Sequence, residues 1–362
     1  PRFLTRLRGR EDDLAEVDDL LSSHQLVTLV GPGGTGKTRL AVEVLRRRTG
    51  DNRPQVFVDL ASTREADSVA ATAAATLSID TGQRADALTA VCEYLDAEPH
   101  LVIVDNCEHV LDDAAATVAT MIARATTTRI VATSREPLGV PGERLYRLGP
   151  LPDLPADRVH DIDDLETNPA TALFLDRARL AGATLDVSAR EAALVAGLCR
   201  ELDGLPLAIE LAAGRMSAFD IDDLVDLLDR RLDLLGDRSS TRDDRHRTLR
   251  ATVGWSYDLL SEPEQRLFRS LSMLPGGVTL DGIEWMAARF ELGIAGIDAA
   301  GRLVDASLLT RRRTPAGSRY SMLETLRAFG IDRLVEHGES EIVGDLATEY
   351  TLEVLDQIER GL

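Results

Sequence analysis

The sequence contains almost no lysine. Lys37 is the only lysine among 41 Lys and Arg residues, and arginine is the cation everywhere else. Asparagine is also rare, with only three residues, and both amino acids use A-rich codons, which indicates a GC-rich genome. A planar guanidinium cannot replace a compact ammonium group in a tight phosphate cradle, so the one retained lysine marks a candidate site.

Paired cysteines, long apolar runs and a net positive charge are missing too. The cysteines, Cys92, Cys107 and Cys199, are an odd number without a CxxC pair, so neither a disulfide framework nor a zinc site is expected and a reducing cytoplasm fits best. No run approaches the roughly 18 apolar residues of a membrane span, and no secretory segment is present. The net charge of −20 argues against nucleic-acid or membrane binding by the chain as a whole.

The length of the chain favours several domains. With 362 residues and 44% apolar residues, two to four well-filled domains are expected. Because the chain starts at Pro1 without a methionine and ends in a helical pattern, we expect a piece of a longer polypeptide.

Residues 31–38 (GPGGTGKT) fit the phosphate-binding pattern GxxxxGK[ST]. An apolar run at 26–30 predicts a buried strand before the motif, and helical spacing at 39–48 predicts a helix after it. Such a turn aims backbone N–H groups and the helix dipole at a phosphate, while the lysine reaches the β- and γ-phosphates and the threonine hydroxyl binds Mg²⁺. The predicted nucleotide-binding residues here are Gly31, Gly33, Gly34, Thr35, Gly36, Lys37, Thr38 and Arg39.

A second apolar run at 101–105 (LVIVD) ends in an acid. A run this apolar is typical of a central parallel strand, and ligands bind at the carboxyl ends of such strands. We therefore predict that Asp105 holds Mg²⁺ opposite Thr38, the alternative being an ordinary acid at a strand end.

Two further charged residues are candidates for catalysis. Glu108 is placed either to polarise the attacking water or to open the next helix as an exposed carboxylate. Arg135 follows a predicted strand at 129–133 and is placed to read a γ-phosphate, although a surface arginine is the alternative.

The remaining segments read mostly as helices. Residues 3–21 predict a short lead-in and an acidic amphipathic helix, which is either a clamp on the base or a packing helix. A Pro- and Gly-rich stretch at 149–155 predicts a linker, and residues 168–235 show helical spacing, with Pro206 at the first turn of one helix. Further short helices and a hairpin at 311–320 predict a winged-helix domain. Residues 240–336 contain fourteen arginines and thirteen acids, which is a poor balance for phosphate-dominated DNA affinity.

Six blocks taken in order resemble one family. GPGGTGKT, LVIVDNCEH, VATSREPLGVPGER, CRELDGLPLAIELAA, LRATVGWSYDLLSEPEQRLFRSLSML and RYSMLETLRAF are similar to the NB-ARC-like nucleotide-binding module of bacterial STAND ATPases, especially AfsR-like SARP and large LuxR-type regulators. The resemblance implies an α/β P-loop NTPase domain with helices on both faces of a parallel sheet, then an all-α domain and a winged-helix domain closing over ADP. It also implies preceding DNA-binding and activation domains, a following helical-repeat sensor, and self-association on activation.

The resemblance also assigns roles to single residues. Lys37 and Thr38 would be the phosphate and Mg²⁺ contacts, Asp105 the second metal residue and Arg135 the γ-phosphate sensor. Pro206 would pack on the adenine, and an N-terminal clamp on the base would consist of Leu7, Arg8, Gly9 and Arg10. The expected segments are a lead-in at 1–24, the nucleotide-binding domain at 25–150, a linker at 151–167, the helical domain at 168–238, the winged helix at 239–336 and the start of a sensor region at 337–362.

Two positions depart from the family pattern. Leu323 stands where relatives carry the histidine of a Met-His-Asp motif, so the ADP contact must be made otherwise. Asn106 stands where many relatives have a second acid, which leaves the catalytic base open. The expected function is an ADP-closed, ATP-open switch with slow ATP hydrolysis; the alternatives are a module that keeps ADP without hydrolysis and a winged-helix DNA reader. The sequence contains neither the NKxD motif of GTPases nor an LSGGQ-like motif of ABC transporters, so both of these classes are disfavoured.

Overall fold

The computed structural model describes residues 6–48, 53–61, 63, 68–79, 86–155, 159, 162–183, 188–233, 250, 252–254, 256–290, 292, 294–306, 308–314 and 317–361. The chain divides into two compact units, Pro1–Pro150 and Leu151–Leu362. Within the described residues, no helix combines the length and the apolar character needed to cross a membrane.

The first unit contains a five-stranded parallel sheet. Its strands are β1 (Leu26–Val30), β2 (Gln55–Asp59), β3 (Leu101–Asp105), β4 (Arg129–Ser134) and β5 (Glu143–Arg147), in the spatial order β2-β3-β4-β1-β5. All four pairings are parallel, and β4 lies between β1 and β3. The short apolar runs form central strands because both faces of the sheet are covered.

Helices cover the two faces of this sheet. They are α1 (Glu11–Ser23), α2 (Lys37–Arg47), α3 (Val69–Thr76), α4 (Ala87–Ala97) and α5 (Leu111–Arg124). Two separate apolar clusters result, one formed by α1 and α2 with alternate strand residues, the other by α3, α4 and α5. The predicted α/β P-loop fold with helices on both faces is confirmed. The edge strand that the sequence predicts at 145–148 is present as β5 and begins at Glu143. The helix predicted at 65–77 is present as α3, and residues 65–67 lie outside the described residues.

The second unit is mostly helical. Its helices in the described residues are α6 (Ile162–Thr167), α7 (Pro169–Leu180), α8 (Ala189–Glu201), α9 (Pro206–Ala213), α10 (Ile221–Asp233), α11 (Glu262–Leu271), α12 (Leu280–Arg289), α13 (Gly296–Asp305), α14 (Glu324–Glu336) and α15 (Ser340–Gly361). A small sheet in the order β6-β8-β7 joins β6 (Val278–Thr279), β7 (Thr310–Thr314) and β8 (Gly317–Ser321). One continuous apolar core runs through this unit from Leu151 to Val343.

Capping residues explain where several of these helices begin. Ser188 forms a capping box with Glu191 at the start of α8, and the Asn168 side chain accepts N–H groups at the start of α7. Gly204 has φ of 62°, and an added Cβ would lie 2.2 Å from the Leu151 carbonyl oxygen. Because Leu151 N also donates to Gly204 O (2.8 Å), only glycine fits at this close backbone contact.

Candidate functional site

The phosphate loop joins the end of β1 to the start of α2. Gly31 N donates to Ser134 O (3.3 Å), and a Cβ on Gly31 would lie 2.5 Å from the Leu148 carbonyl oxygen. Gly34 and Gly36 have φ of 78° and 93°, which glycine adopts without strain. The loop is thus held at its start and curled by glycines, so that the first N–H groups of α2 are exposed to a ligand.

Lys37 is buried at the first turn of α2. Its Nζ donates to Gly31 O (2.8 Å) and Pro32 O (3.1 Å), so the ammonium group lies inside the loop curve. Burial lowers the pKa of Lys37, and the nearby Glu108 carboxylate opposes that shift by attraction. The lysine therefore stays within reach of any phosphate that the loop amides bind.

Two threonines converge on the carboxylate of Asp105. Thr38 Oγ1 donates to Asp105 Oδ1 (2.9 Å), and Thr133 Oγ1 in β4 donates to the same oxygen (2.5 Å). Asp105 is buried, and desolvation raises the pKa of its carboxyl to about 6, although the hydrogen bond from Thr133 opposes the rise. The predicted pair Thr38 and Asp105 is thus brought together across β4.

Asn106 links a second carboxylate to this group. Its backbone lies in the left-handed region (φ 63°), its N–H donates to Thr133 Oγ1 (3.0 Å), and its Nδ2 donates to Asp105 Oδ2 (3.2 Å) and Asp59 Oδ1 (3.2 Å). Sequence reasoning missed Thr133 and Asp59. The available signal was their position at or near the carboxyl ends of the strands that the apolar runs 55–60 and 129–133 predict, where ligand-binding residues collect.

The donor set suits magnesium in the manner of phosphate-loop proteins. Thr38, Asp59 and Asp105 supply hard oxygen atoms at one edge of the sheet, and Mg²⁺ is usually held by one or two carboxylates together with phosphate and water oxygens. Within the described ranges, no group of three or more His, Cys, Asp and Glu side chains forms a complete metal cage. The residues fit a cation that arrives with a nucleotide.

Glu108 and Arg135 form an ion pair beside the loop. Glu108 lies in a short 3₁₀ turn (Cys107–His109), and its Oε1 accepts Arg135 Nε at 3.1 Å. The Glu108 side chain is 10% exposed and that of Arg135 is 39% exposed. In the part of the chain that the structure describes, the buried Glu108 Oε2 has no hydrogen-bond partner. Both predicted catalytic charges therefore lie together, and both influence the pKa of Lys37.

The N-terminal segment contacts the phosphate loop. Arg10 is buried, and its Nη2 donates to Thr35 O (3.2 Å) and Gly149 O (2.7 Å). Arg39 Nη2 donates to Arg6 O (2.5 Å). Arg10 thus braces the loop backbone.

The other predicted base contacts lie in two places. Leu7 packs against the apolar cluster of α1 and α2, Gly9 has φ of 65°, and Arg8 is exposed. Pro206 begins α9 in the second unit. Contacts of these residues and of Arg10 with adenine stay predictions.

Comparison with known proteins agrees with this geometry. The AAA domain family model matches residues 19–134, which include the phosphate loop and β3. A STAND protein with a tetratricopeptide repeat sensor from Pyrococcus horikoshii has a similar fold, with a TM-score of 0.56 at 15% sequence identity over 98% of this chain and 49% of that one. The first unit accordingly has the parallel-sheet α/β fold of P-loop NTPases, a fold that implies nucleotide binding.

Mycobacterial proteins provide the sequence relatives. The chain is 36% identical over 334 residues to Rv0890c of Mycobacterium tuberculosis H37Rv, a protein named as an HTH-type transcriptional regulator. That match covers 92% of this chain and 36% of the relative, so the chain spans about a third of that protein's length. The chain is also 32% identical over 351 residues to the uncharacterized protein Rv0894 of the same organism, covering 94% of this chain and 84% of that protein. The chain therefore belongs to the same family as the mycobacterial protein Rv0894.

Proposed function

We propose that this chain is the ATP- and ADP-binding switch module of a bacterial transcriptional regulator. ADP holds the closed state, exchange for ATP opens it, and slow ATP hydrolysis resets it. The observation that carries the proposal is the Arg135–Glu108 ion pair beside Lys37 and the phosphate loop. It gives the site two charged groups whose partners change when a γ-phosphate is present.

The phosphate loop supplies the binding energy shared by both nucleotides. The backbone N–H groups of Gly33, Gly34, Thr35 and Gly36 bind the β-phosphate, and the Lys37 ammonium moves from the Gly31 and Pro32 carbonyls to the phosphate oxygens. Arg10 braces the loop backbone through its hydrogen bond to Thr35 O.

Thr38 and Asp105 hold the metal that accompanies the nucleotide. A bound Mg²⁺ neutralises phosphate charge and polarises the phosphoryl group. A cation also favours the ionised form of Asp105, whose carboxyl otherwise has a pKa of about 6. Thr133 keeps the carboxylate oriented toward Thr38.

Arg135 and Glu108 distinguish ATP from ADP. In the structure the guanidinium is paired with the carboxylate at 3.1 Å. A γ-phosphate carries more charge than one carboxylate and competes for the same guanidinium. When Arg135 turns to the phosphate, Glu108 is released to accept a proton from the attacking water. ADP has no γ-phosphate and leaves this ion pair intact, so Glu108 stays bound to Arg135 and does not act as a base.

The second unit provides the elements of a helical domain and a winged helix. Helices α11, α12 and α13 with the β6-β8-β7 sheet support the winged-helix assignment. Leu323, at the position of the family histidine, packs against the apolar core of this unit. We propose that the segment 7–10 contacts the adenine base; a role for Pro206 in base binding follows only from the family resemblance.

The regulatory setting rests on likeness. A relative named as an HTH-type regulator and the fold of a STAND protein support a cytoplasmic regulator of the NB-ARC-like, AfsR-like SARP or large LuxR type. We propose that DNA-binding domains and sensor repeats belong to the full-length protein and that activation leads to self-association. Moving a population from 1:99 to 99:1 needs a differential affinity of about 5.5 kcal/mol.

Nucleotide release and phosphate release test the proposal. Denaturing protein purified without added nucleotide should release near-stoichiometric ADP, and added ATP should turn over at about 10⁻⁴ per second, as intrinsic GTPases do. Glu108→Gln should lower turnover at least about 100-fold because it removes the general base. Glu136→Gln is the matched control, since Glu136 is an exposed acid one residue beyond Arg135.

Two further variants separate binding from sensing. Lys37→Ala should abolish nucleotide binding, and unchanged binding would falsify the site assignment. Arg135→Ala should weaken ATP binding at least about tenfold, because a charged hydrogen bond to the γ-phosphate is lost, and should leave ADP binding unchanged. Equal loss for both nucleotides would contradict a role in γ-phosphate sensing.

A non-hydrolysing ADP module is the second candidate. The amide of Asn106, in place of a second acid, favours it. Stoichiometric ADP together with no phosphate release above the Lys37→Ala background would establish this function in place of the switch.

A further inference from the structure

Three arginines line a cleft at the amino edge of the parallel sheet. The cleft has a volume of about 390 Å³ and is lined by Leu21, Ser22, Arg48, Arg53 and Arg129. Arg48 follows α2, Arg53 precedes β2 and Arg129 opens β4, so three separate segments converge on it.

The cleft is separate from the nucleotide site. The phosphate loop and Asp105 lie at the carboxyl edge of the same parallel strands. Five residues at about 3.3 Å each place the two edges about 16 Å apart. A ligand in the cleft therefore does not occupy the phosphate loop.

Main-chain carbonyl groups hold two of the arginines in place. Arg53 Nη1 donates to Thr127 O (3.3 Å), and Arg129 Nε donates to Leu21 O (3.1 Å). Both side chains are half-buried. Among the residues the structure describes, no carboxylate contacts either guanidinium. Each group has five N–H donors in a fixed fork, so one carbonyl contact leaves donors for a ligand.

Arg48, the third arginine of the cleft, forms an ion pair with Asp18. Its Nε donates to Asp18 Oδ1 (2.7 Å), and its Nη2 donates to Asp18 O (2.7 Å) and Ser22 Oγ (3.3 Å). The Arg48 side chain is 19% exposed. Among the described residues, Asp18 pairs with one of the three guanidinium groups, and those of Arg53 and Arg129 contribute positive charge in a chain whose net charge is −20.

We propose that this cleft binds a small anion carrying a diphosphate group. Partly buried charges are stabilised by an opposite charge, and guanidinium forks match phosphate oxygens in bidentate pairs. The two or more negative charges of a diphosphate complement the guanidinium groups of Arg53 and Arg129. The size falls within the range of small-ligand pockets, about 300 to 1,000 Å³.

Isothermal titration calorimetry with inorganic pyrophosphate tests the proposal. The titration uses the full chain carrying Lys37→Ala, without metal, so that the phosphate loop contributes little binding. One site is expected. Arg53→Ala and Arg129→Ala should each weaken pyrophosphate binding at least about tenfold, because each removes a charged hydrogen-bond partner. Arg53→Lys, which keeps the charge but loses the fork, should weaken it less.

The matched control is Arg46→Ala. Arg46 is an arginine of α2 outside the cleft, with a 75% exposed side chain. Unchanged pyrophosphate affinity is expected for this variant. Absence of pyrophosphate binding would overturn the proposal, since the arginines would then serve only to cap α1. Equal weakening of binding by Arg46→Ala and Arg53→Ala would also overturn it, since the arginines would then act only as general positive charge. In the otherwise wild-type chain, the cleft variants should bind ADP normally, which separates this site from the proposed switch.

Discussion

Replacing Asp105 by asparagine should stabilise the nucleotide-free protein at neutral pH while removing the proposed metal contact. Burial at the end of β3 raises the pKa of the Asp105 carboxyl to about 6, and the carboxylates of Asp59 and Glu108 add to the rise. An aspartate in an unfolded chain has a pKa of about 3.9. The folded protein therefore holds this proton more tightly than the unfolded chain does, and the ionised carboxylate opposes folding.

The pH dependence follows from the sign of this shift. Below about pH 4 both states are protonated and the carboxyl has no effect on the free energy of unfolding. Between about pH 4 and pH 6 the unfolded chain loses its proton first, so stability falls as pH rises. Above pH 6 the cost is complete, and a difference of about two pKa units corresponds to about 3 kcal/mol.

The net effect of Asp105→Asn is smaller than this cost. An amide keeps an oxygen for the Thr38 and Thr133 hydroxyl groups, but its NH₂ group faces Asn106 Nδ2, which now donates to Asp105 Oδ2. Loss of that hydrogen bond costs about 1 kcal/mol. We therefore expect a gain of about 2 kcal/mol at pH 7.5 and a small loss near pH 4.5.

Native-state hydrogen exchange of peptides covering β3 and β4 measures this difference in the intact chain. Exchange is preferable to a single melting curve because two compact units need not unfold together. Metal-free wild type and variant are compared at pH 4.5 and 7.5, with Asp112→Asn, an exposed acid in α5, as the control for net charge. If the difference between Asp105→Asn and wild type is the same at both pH values, the carboxyl does not titrate as described and the reasoning is refuted.

Two glycine substitutions test backbone packing in the second unit. Gly204→Ala should lower the melting temperature of this unit by several degrees, because the added Cβ would lie 2.2 Å from the Leu151 carbonyl oxygen. The control is Gly182→Ala, which has φ of 89° and nothing within 4 Å of the added Cβ, and it should lower the melting temperature less. An equal effect of the two variants would mean that backbone strain at positive φ, and not the close contact, determines the loss. Gly282→Ala should loosen α15, because its Cβ would lie 2.3 Å from the Tyr350 hydroxyl oxygen, and should speed hydrogen exchange there; Gly301→Ala, with nothing within 4 Å, should leave α15 unchanged.

The local parts of the site were predictable from the sequence. The loop at 31–38, its flanking strand and helix, and the buried strand ending at Asp105 depend on runs of neighbouring residues, and the structure places them as expected. The direct contact between Thr38 and Asp105 follows from a known pattern of two motifs. Near-neighbour patterns carry this information because strand burial and helix starts are set within a few residues.

Contacts between distant segments were not predictable in the same way. Thr133 reaches Asp105 only because β4 lies between β1 and β3, and the order of strands is not written in any single segment. Arg269 illustrates the same point in the second unit, since it is fully buried and Glu339, 70 residues away, accepts both its Nε and its Nη2. Sequence pattern places a charged residue on a surface, and only a partner elsewhere in the fold allows it inside.

The choice between arginine and lysine at a given position follows from the contacts that the side chain makes in the fold. Arg10 and Arg269 each join segments far apart in sequence, and both need several donors in a fixed plane to do so. Lys37 has the opposite requirement, because one small group must lie about 3 Å from two carbonyl oxygens of the loop and still be free to turn to a phosphate. A guanidinium fork is too wide for that turn. In a chain that uses arginine for every other Lys or Arg position, the single lysine is therefore retained where the backbone curves around the charge.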